Sequence, residues 1–463
     1  MPSAIPTPTP AFQTQQPLQI AIIGAGITGV LLALALEKRN IPYVLYERAA
    51  CFGEIGAGIG FSPNAERALR LIDGDVHRAY KTVVPDTGVV EYFRWVNGFD
   101  GEGQGKGDGE EEEENEVFAE LFIGVDSFQG GRRCDFLNVW SDMIPREKVK
   151  FRKEIDTLFE KEDGKVRLRF KNDDDDEEAE ADIVIACDGI RSRTRQTLFS
   201  AATSPSSAAY THKFCFRALL PVPVVVPVIG ETRTKLRFMY NGPNAHIITY
   251  PVANNTLLNV LFVISDPEPW THPRHTAPGT KSEIANAYVG WHPFIRHLID
   301  LLPDDLDKWA IFDMYDNPVP AYNKGPVALA GDAAHASGPH LGAGAGFGIE
   351  DALVLASVLE AAAQQERPGK RRVDICHDAL AAYNAVRYER GQWLPGATRE
   401  AVDLFQWRDS EVSTNPEKYL SRVGRLYHEI WDENLDVMVD TTVKEFRKRL
   451  RPSNQDPGNE GGL

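Results

Sequence analysis

A chain of 463 residues, 43% apolar and 10% aromatic, can bury a large core and suggests two or three domains of an ordinary globular protein. Its formal charge of −17, with no basic stripe, excludes a nucleic-acid-binding surface. Most of that charge is local: Glu110–Glu114 with Glu116 form one acidic tract, and Asp173–Glu178 with Glu180 and Asp182 another, and both read as solvated tips of surface loops.

Five scattered cysteines, Cys51, Cys134, Cys187, Cys215 and Cys376, show no CxxC spacing and fit free thiols in a reducing compartment. Residues 1–17 read as a disordered Pro/Thr/Gln arm, and the first basic residue is Lys38, so no signal or transit peptide is expected. The most apolar run, PVPVVVPVI at 221–229, is too short and too interrupted by proline to span a bilayer. With no lipidation motif in the tail NQDPGNEGGL, a cytoplasmic location is expected, with no membrane partner.

In chain order, LQIAIIGAGITGVLLALALEKRNIPYVLYER reads strand, glycine turn, helix, strand, with Asn40 where the helix must stop. Between the strands lies GAGITG. Gly24 makes the tight turn, Gly26 lets the backbone approach a pyrophosphate, and Gly29 packs the helix on the sheet. The helix N-terminus offers free N–H groups to that anion. Glu47, at the end of the second strand, is placed to accept from ribose hydroxyls. The motif alone does not separate NAD from FAD.

Residues 89–125 hold strand-like pieces around the first acidic loop, and 150–186 alternate like a β-meander around the second. CDGIRSRTR (187–195) leaves the apolar strand IVIA with a turn at Asp188-Gly189, placing Ser192 and Arg195 on one face of the next helix. Residues 211–265 are dense in strand formers, and NGPN marks a hairpin between Tyr240 and His246. Helical patterns return at 281–302; a strand at 326–330 precedes GDAAHASGPHLGAGAGFGIED (331–351), and the rest is mainly helical. His335 and His340 in that stretch lack a convincing third ligand, so no metal is expected.

GxGxxG, then Asp188-Gly189, then Gly331-Asp332, in that order, is the constellation of group A flavin monooxygenases. Over roughly residues 18–400 the chain resembles the para-hydroxybenzoate and salicylate hydroxylase type. The resemblance implies an α/β fold: a Rossmann-like FAD-binding domain (18–88, 126–205 and 311–365) interrupted by a β-sheet substrate domain (89–125 and 206–310), with a helical C-terminal region (366–463). It implies tightly bound FAD, NADPH as a transient co-substrate without a domain of its own, and dioxygen activated as a flavin hydroperoxide. It assigns Glu47 to the adenosine ribose, Arg133 in GRRCDFL to the flavin side of the cofactor, Asp188 to the cofactor site, and Asp332 to the ribityl chain. Where the family often has His before that arginine, this chain has Arg132. EIGAGIGFSPNA (54–65) is similar to the salicylate-hydroxylase branch and brings Gly60 near the cofactor. Gly342, Gly344 and Ala345 would let backbone lie against the isoalloxazine ring, beneath the positive end of a helix.

KFCFRALLP, GPNAHIITYPVANNTLLN and DKWAIFDMYDNPVP resemble fungal enzymes that hydroxylate and dearomatise polyketide phenols. That likeness makes Arg217 and Tyr250 the residues that hold a phenolate. Locally, an arginine inside an apolar strand needs an anionic substrate, a structural carboxylate, or water. Alternation puts His246 and Ile248 on the same side as Tyr250, and the hairpin is expected to bring Tyr240 beside His246, so both join the substrate site. Decarboxylative hydroxylation of a salicylate, oxidase chemistry and a binding module without catalysis are the alternatives. The amphipathic tail (414–446) either packs on its own body or dimerises the chain, leaving monomer and homodimer both open.

Overall fold

The computed structural model describes residues 18–53, 58–99, 117–171, 178–199, 207–365 and 371–450. The N-terminal arm, the first acidic tract and Asp173–Glu177 of the second lie outside these residues; Glu178 and Glu180 sit on the strand Glu178–Ala181, paired with Arg169 and Arg167.

A six-stranded sheet forms the nucleotide-binding half, in the order Asn323–Lys324, Val327–Leu329, Ile183–Ala186, Ile20–Ile23, Tyr43–Glu47, Val149–Phe151. All its pairings are parallel except that of the first two strands. Its two central strands are buried along their whole length, as the continuous apolar runs IAII and IVIA require of a sheet covered on both faces: Ile20, Ile22, Ile183 and Ile185 join the helical core, and Ala21, Ile23 and Val184 pack against Ile155, Leu158, Val166 and Leu168. The helices Ile27–Lys38 and Gly344–Ala363 supply much of the associated core. Asn40 ends the first of them in a left-handed conformation, φ 53°, which Asn tolerates. The meander Ile155–Glu160, Val166–Phe170, Glu178–Ala181 forms a separate three-stranded antiparallel sheet.

An eight-stranded sheet is built from Val90–Asn97, Val117–Val125 and six strands between Ala209 and Asp313. One face carries Phe216, Tyr240, Ile247, Val260 and Phe262 into a core capped by the helices Lys281–Ala287 and Pro293–Asp300. Part of that cap is a surprise of local sequence: Val222–Lys235, inside the stretch read as strand-forming, is helical, with non-helical Gly230 within it. Pro223 stands in its first turn, where a missing N–H costs nothing. Pro223 and Pro227 would each remove a ladder donor from a strand, so backbone chemistry overrides the valines' β preference. Val225 and Ile229 bury against the sheet.

The sheet's other face meets the C-terminal helices Arg372–Phe405 and Pro416–Trp431 through Phe93, Trp95, Met239, Leu404, Phe405, Tyr419 and Tyr427. Leu435, Met438 and Phe446 of the last helix join the core of the nucleotide-binding half. The tail thus buries its apolar stripe against its own body. Among the described residues no helix is long and apolar enough to cross a membrane.

Candidate active site

A cavity of about 810 Å³ runs from the parallel sheet to the eight-stranded one, near the upper end of the size of small-molecule pockets. At its nucleotide end the three glycines have separate reasons. Gly24 has φ +97°, and a Cβ there would stand 2.5 Å from the Cys187 carbonyl oxygen; one on Gly29 would stand 1.9 Å from that of Gly24. Among the described residues a Cβ on Gly26 would meet only a guanidinium nitrogen of Arg133, at 3.9 Å, so this glycine leaves room for a ligand. The helix Ile27–Lys38 behind it has neither a side-chain cap nor an acid in its first turn, leaving its positive end for an anion.

Glu47 is held by the N–H groups of Ala25 and Ala49, each donating to one carboxylate oxygen at 2.7 Å. Those two bonds fix the carboxylate and leave lone pairs directed at the cavity. Arg133 opens the helix Arg133–Ser141 and lines the same space. Asp188 accepts from the Thr194 N–H at 3.0 Å through Oδ2, while its buried Oδ1 has no partner among the described residues. Ser192 caps the helix Arg193–Leu198 by accepting from the Arg195 N–H at 2.9 Å. Arg195, wholly buried, donates to the carbonyls of Asp332 and Ala333 at 3.3 and 3.0 Å and so ties the Asp188 turn to the Asp332 turn.

Gly331 turns with φ 60°, and a Cβ there would stand 2.5 Å from Thr28 Oγ1. Asp332 follows, exposed to the cavity. Behind the turn, Asp351 Oδ2 accepts the Gly331 N–H at 2.8 Å and contacts His335 Nε2 at 2.6 Å. Arg387 donates to Asp351 Oδ1 at 2.8 Å and to Glu350 Oε2 at 2.6 Å. Burial works against ionisation of Asp351, but His335 and Arg387 hold its carboxyl well below the usual carboxylate range. The histidines that suggested a metal are therefore parted: His335 faces Asp351, and His340 faces His246 at a ring distance of 5.5 Å. Gly342, at φ 63°, leads into the helix Gly344–Ala363, whose N-terminus has no side-chain cap; Gly342, Gly344 and Ala345 line the cavity. Gly60 lines it too, and a Cβ there would stand 2.4 Å from the Phe128 ring.

At the far end the wall is the eight-stranded sheet. Arg217, Ile248, Tyr250, Asn259, Leu261 and Trp309 project from it into the cavity. Leu261 is registered with both Arg217 and Ile248, and Asn259 with Tyr250. Arg217 lies over the Trp309 ring at 5.4 Å, and its buried Nε has no hydrogen-bond partner among the described residues. Burial pushes the Tyr250 hydroxyl up to about 12 against the pull of Arg217 and Arg237, so it remains a donor throughout the neutral range. Arg237 is neutralised by Glu91 at 3.0 Å.

Two expected substrate residues stand elsewhere. Tyr240 is on the opposite face, its ring 5.5 Å from that of Phe294 within the outer core. The hairpin pairs Asn241 with His246 and Tyr240 with Ile247, and the two-residue period of a strand sends Tyr240 away from the cavity. His246 shares the face of Tyr250 but is sealed beyond the cavity's end by Phe405, His340 and Gln406. Burial, with Lys213 adding to it, pushes the His246 ring down to about 3. His340, rather than His246, lines the cavity. Asn259 and Trp309 sit at alternate positions of their strands, the signal that could have found them. Phe93 and Tyr427 also line the space, but arrive from distant segments without any local pattern.

The cradle therefore fits an extended cofactor: an open glycine facing the cavity, two uncapped helix ends, a fixed carboxylate and an orphaned buried oxygen. Residues 138–385 match the family described as FAD binding domain. The chain is 42% identical over 440 residues to the FAD-dependent monooxygenase orf3 of Aspergillus niger, covering 94% of this chain and 98% of that one. It is 42% identical over 445 residues to the FAD-dependent monooxygenase pigN of Monascus ruber, covering 95% and 100%. Among solved structures, a salicylate hydroxylase substrate complex superposes with a TM-score of 0.75 at 26% identity, covering 92% of this chain and 98% of that one.

Proposed function

This chain belongs to the FAD-binding-domain family and is an FAD-dependent monooxygenase; from that premise we propose that it acts on an aromatic ring and that its substrate is a phenol, bound as the phenolate by Arg217 and Tyr250. One observation carries this reading: an arginine with no carboxylate partner among the described residues and a tyrosine held protonated share one wall of the cavity. When bound, FAD supplies the redox chemistry, taking electrons from NADPH, the co-substrate typical of the family, and activating dioxygen.

In this proposal the chain's own residues divide the work. Glu47 holds the adenosine ribose, Arg133 the flavin side of the cofactor and Asp332 the ribityl chain, with Asp188 also in the cofactor site. The backbone at Gly342–Ala345 supports the ring, with the uncapped helix end stabilising negative charge on it. Arg217 favours the ionised phenol by charge, and Tyr250 donates its hydroxyl proton in a hydrogen bond to the same oxygen without losing it. Ile248, Leu261 and Phe93 form apolar walls that orient the ring and exclude water. A deprotonated phenol is electron-rich at the ortho and para carbons, so one of these accepts the oxygen atom.

We extend the proposal to an alkylated, polyketide-derived resorcinol. Where the hydroxylated carbon bears an alkyl group, no ring proton is available to restore aromaticity, and a hydroxydienone results. The likeness to the salicylate hydroxylase complex supports a second reading, decarboxylative hydroxylation to a catechol. Aerobic incubation of the FAD-loaded protein with NADPH and a panel of alkylated resorcylaldehydes and salicylates separates the two. Dienone supports the first reading, catechol with carbon dioxide the second. Hydrogen peroxide equal to NADPH consumed, with no oxygenated product, sinks both.

A further inference from the structure

The way Arg217 is held raises a question that the phenolate reading leaves open. A charged guanidinium on a half-buried sheet face is normally fixed by a carboxylate, which also cancels its charge. Arg237 on the same sheet follows that rule through Glu91, and Arg94 through Glu120. Among the described residues Arg217 has no such carboxylate. Its buried Nε has no hydrogen-bond partner among them, its guanidinium lies 5.4 Å from the centre of the Trp309 ring, and the buried thiol of Cys215 is a close polar neighbour. Burial raises the Cys215 thiol despite the pull of Arg217, so that neighbour stays uncharged. Register explains the arrangement. Cys215 pairs with Trp309 across adjacent strands, and Arg217, two residues along from Cys215, projects from the same face.

We propose that Trp309 is a positioning residue for the phenolate site: its ring face fixes the Arg217 guanidinium while leaving the whole positive charge for the substrate oxygen. An aromatic face attracts a cation through its quadrupole and carries no net charge, so it can orient the arginine without competing for it. A carboxylate in that place would hold Arg217 more tightly and would turn its field away from the ligand. Trp309 also lines the cavity, so the same ring is in place to shield the ion pair from water once a substrate enters.

The inference rests on the phenolate reading, and the test keeps the two apart. FAD-loaded wild type, Trp309→Leu, Trp309→Phe and Arg217→Met are each saturated with 2,4-dihydroxybenzaldehyde, and the ionisation of the bound ligand is followed by difference absorbance against pH. Trp309 is only half-buried, and the flavin spectrum and melting temperature of each variant report folding. Wild type is expected to bind the ligand with its pKa depressed below the free value. Trp309→Leu loses about tenfold of that preference, one pKa unit, while Trp309→Phe, which keeps a ring face, retains most of it. If Arg217→Met abolishes the depression but both Trp309 variants match wild type, the positioning role is overturned and the phenolate reading stands. An undepressed pKa in wild type overturns the phenolate reading, and this inference with it. Should Trp309→Leu fail to fold, Trp309→Phe against Trp309→Gln decides by the same criterion: equal depression in both refutes the role.

Discussion

Replacing Arg387 with Met takes the cation out of a fully buried cluster. Arg387, Glu350, Asp351 and His335 are all at 0% exposure, and Arg387 bridges the two carboxylates at 2.6 and 2.8 Å. Glu350 keeps Arg390 at 2.9 Å and Asn64 at 2.8 Å, so the uncompensated charge falls mainly on Asp351. Breaking one buried ion pair costs about 3–5 kcal/mol. Spread over 463 residues, with an unfolding entropy of about 1 kcal/mol per kelvin for a chain this size, the melting temperature falls by about 3–5 °C. Because Asp351 also anchors the Gly331 N–H, affinity for FAD drops in the same variant. The sign of the pH dependence is fixed: Asp351 titrates lower in the folded state, so its stabilising contribution is complete above the unfolded carboxyl pKa and fades as pH falls. The gap between wild type and Arg387→Met therefore narrows below about pH 4. Thermal melts from pH 7 to pH 3, with FAD titration at pH 7, check this. A melting temperature within a degree of wild type at pH 7, with unchanged FAD affinity, would refute the argument that this cluster supports the Asp332 turn.

Gly29→Ala puts a Cβ 1.9 Å from the Gly24 carbonyl oxygen; the protein should purify largely without flavin, read by its visible absorbance. Tyr250→Phe removes the donor but not the ring; kcat with a phenol should fall by about 10-fold, the worth of one hydrogen bond to a charged group, with FAD binding unchanged. His246 titrates near 3 in the fold and near 6.5 unfolded. The unfolded state thus binds more protons between those values, and stability falls as pH drops through that window. A His246→Leu variant should show a shallower acid loss than wild type in urea melts at pH 7 and pH 4.5; parallel losses would contradict the burial of a neutral ring.

The parts of the site legible in the sequence are those whose logic is local. GAGITG, the Asp188 turn and the Gly331-Asp332 turn declare themselves by strand, glycine and helix in immediate succession, and Glu47 by its place at a strand end. Arg217 and Tyr250 came from the likeness to phenol hydroxylases, to which the local pattern added an arginine inside an apolar strand and an alternation that puts Tyr250 on one side with His246 and Ile248. Tyr240 was assigned to the wrong face for want of the hairpin register: with only Pro243 and Asn244 in the turn, Gly242 pairs Ala245 and Tyr240 pairs Ile247. Counting back from that turn would have placed it correctly. The valine-rich run at 222–229 reads as strand by side chain, whereas its prolines make it a helix. Tyr427, more than 170 positions from Tyr250, enters the cavity only because the tail folds back over the sheet, which no local pattern encodes.

The central claim, a phenol held as phenolate by an unneutralised arginine, is tested most directly by the pKa of bound 2,4-dihydroxybenzaldehyde in wild type and in Arg217→Met. An opposite charge at such a site depresses an acid's pKa by about 1–3 units. Wild type should show that depression and Arg217→Met should lose it, with FAD still bound in both. Equal ligand pKa values in the two proteins would contradict the account.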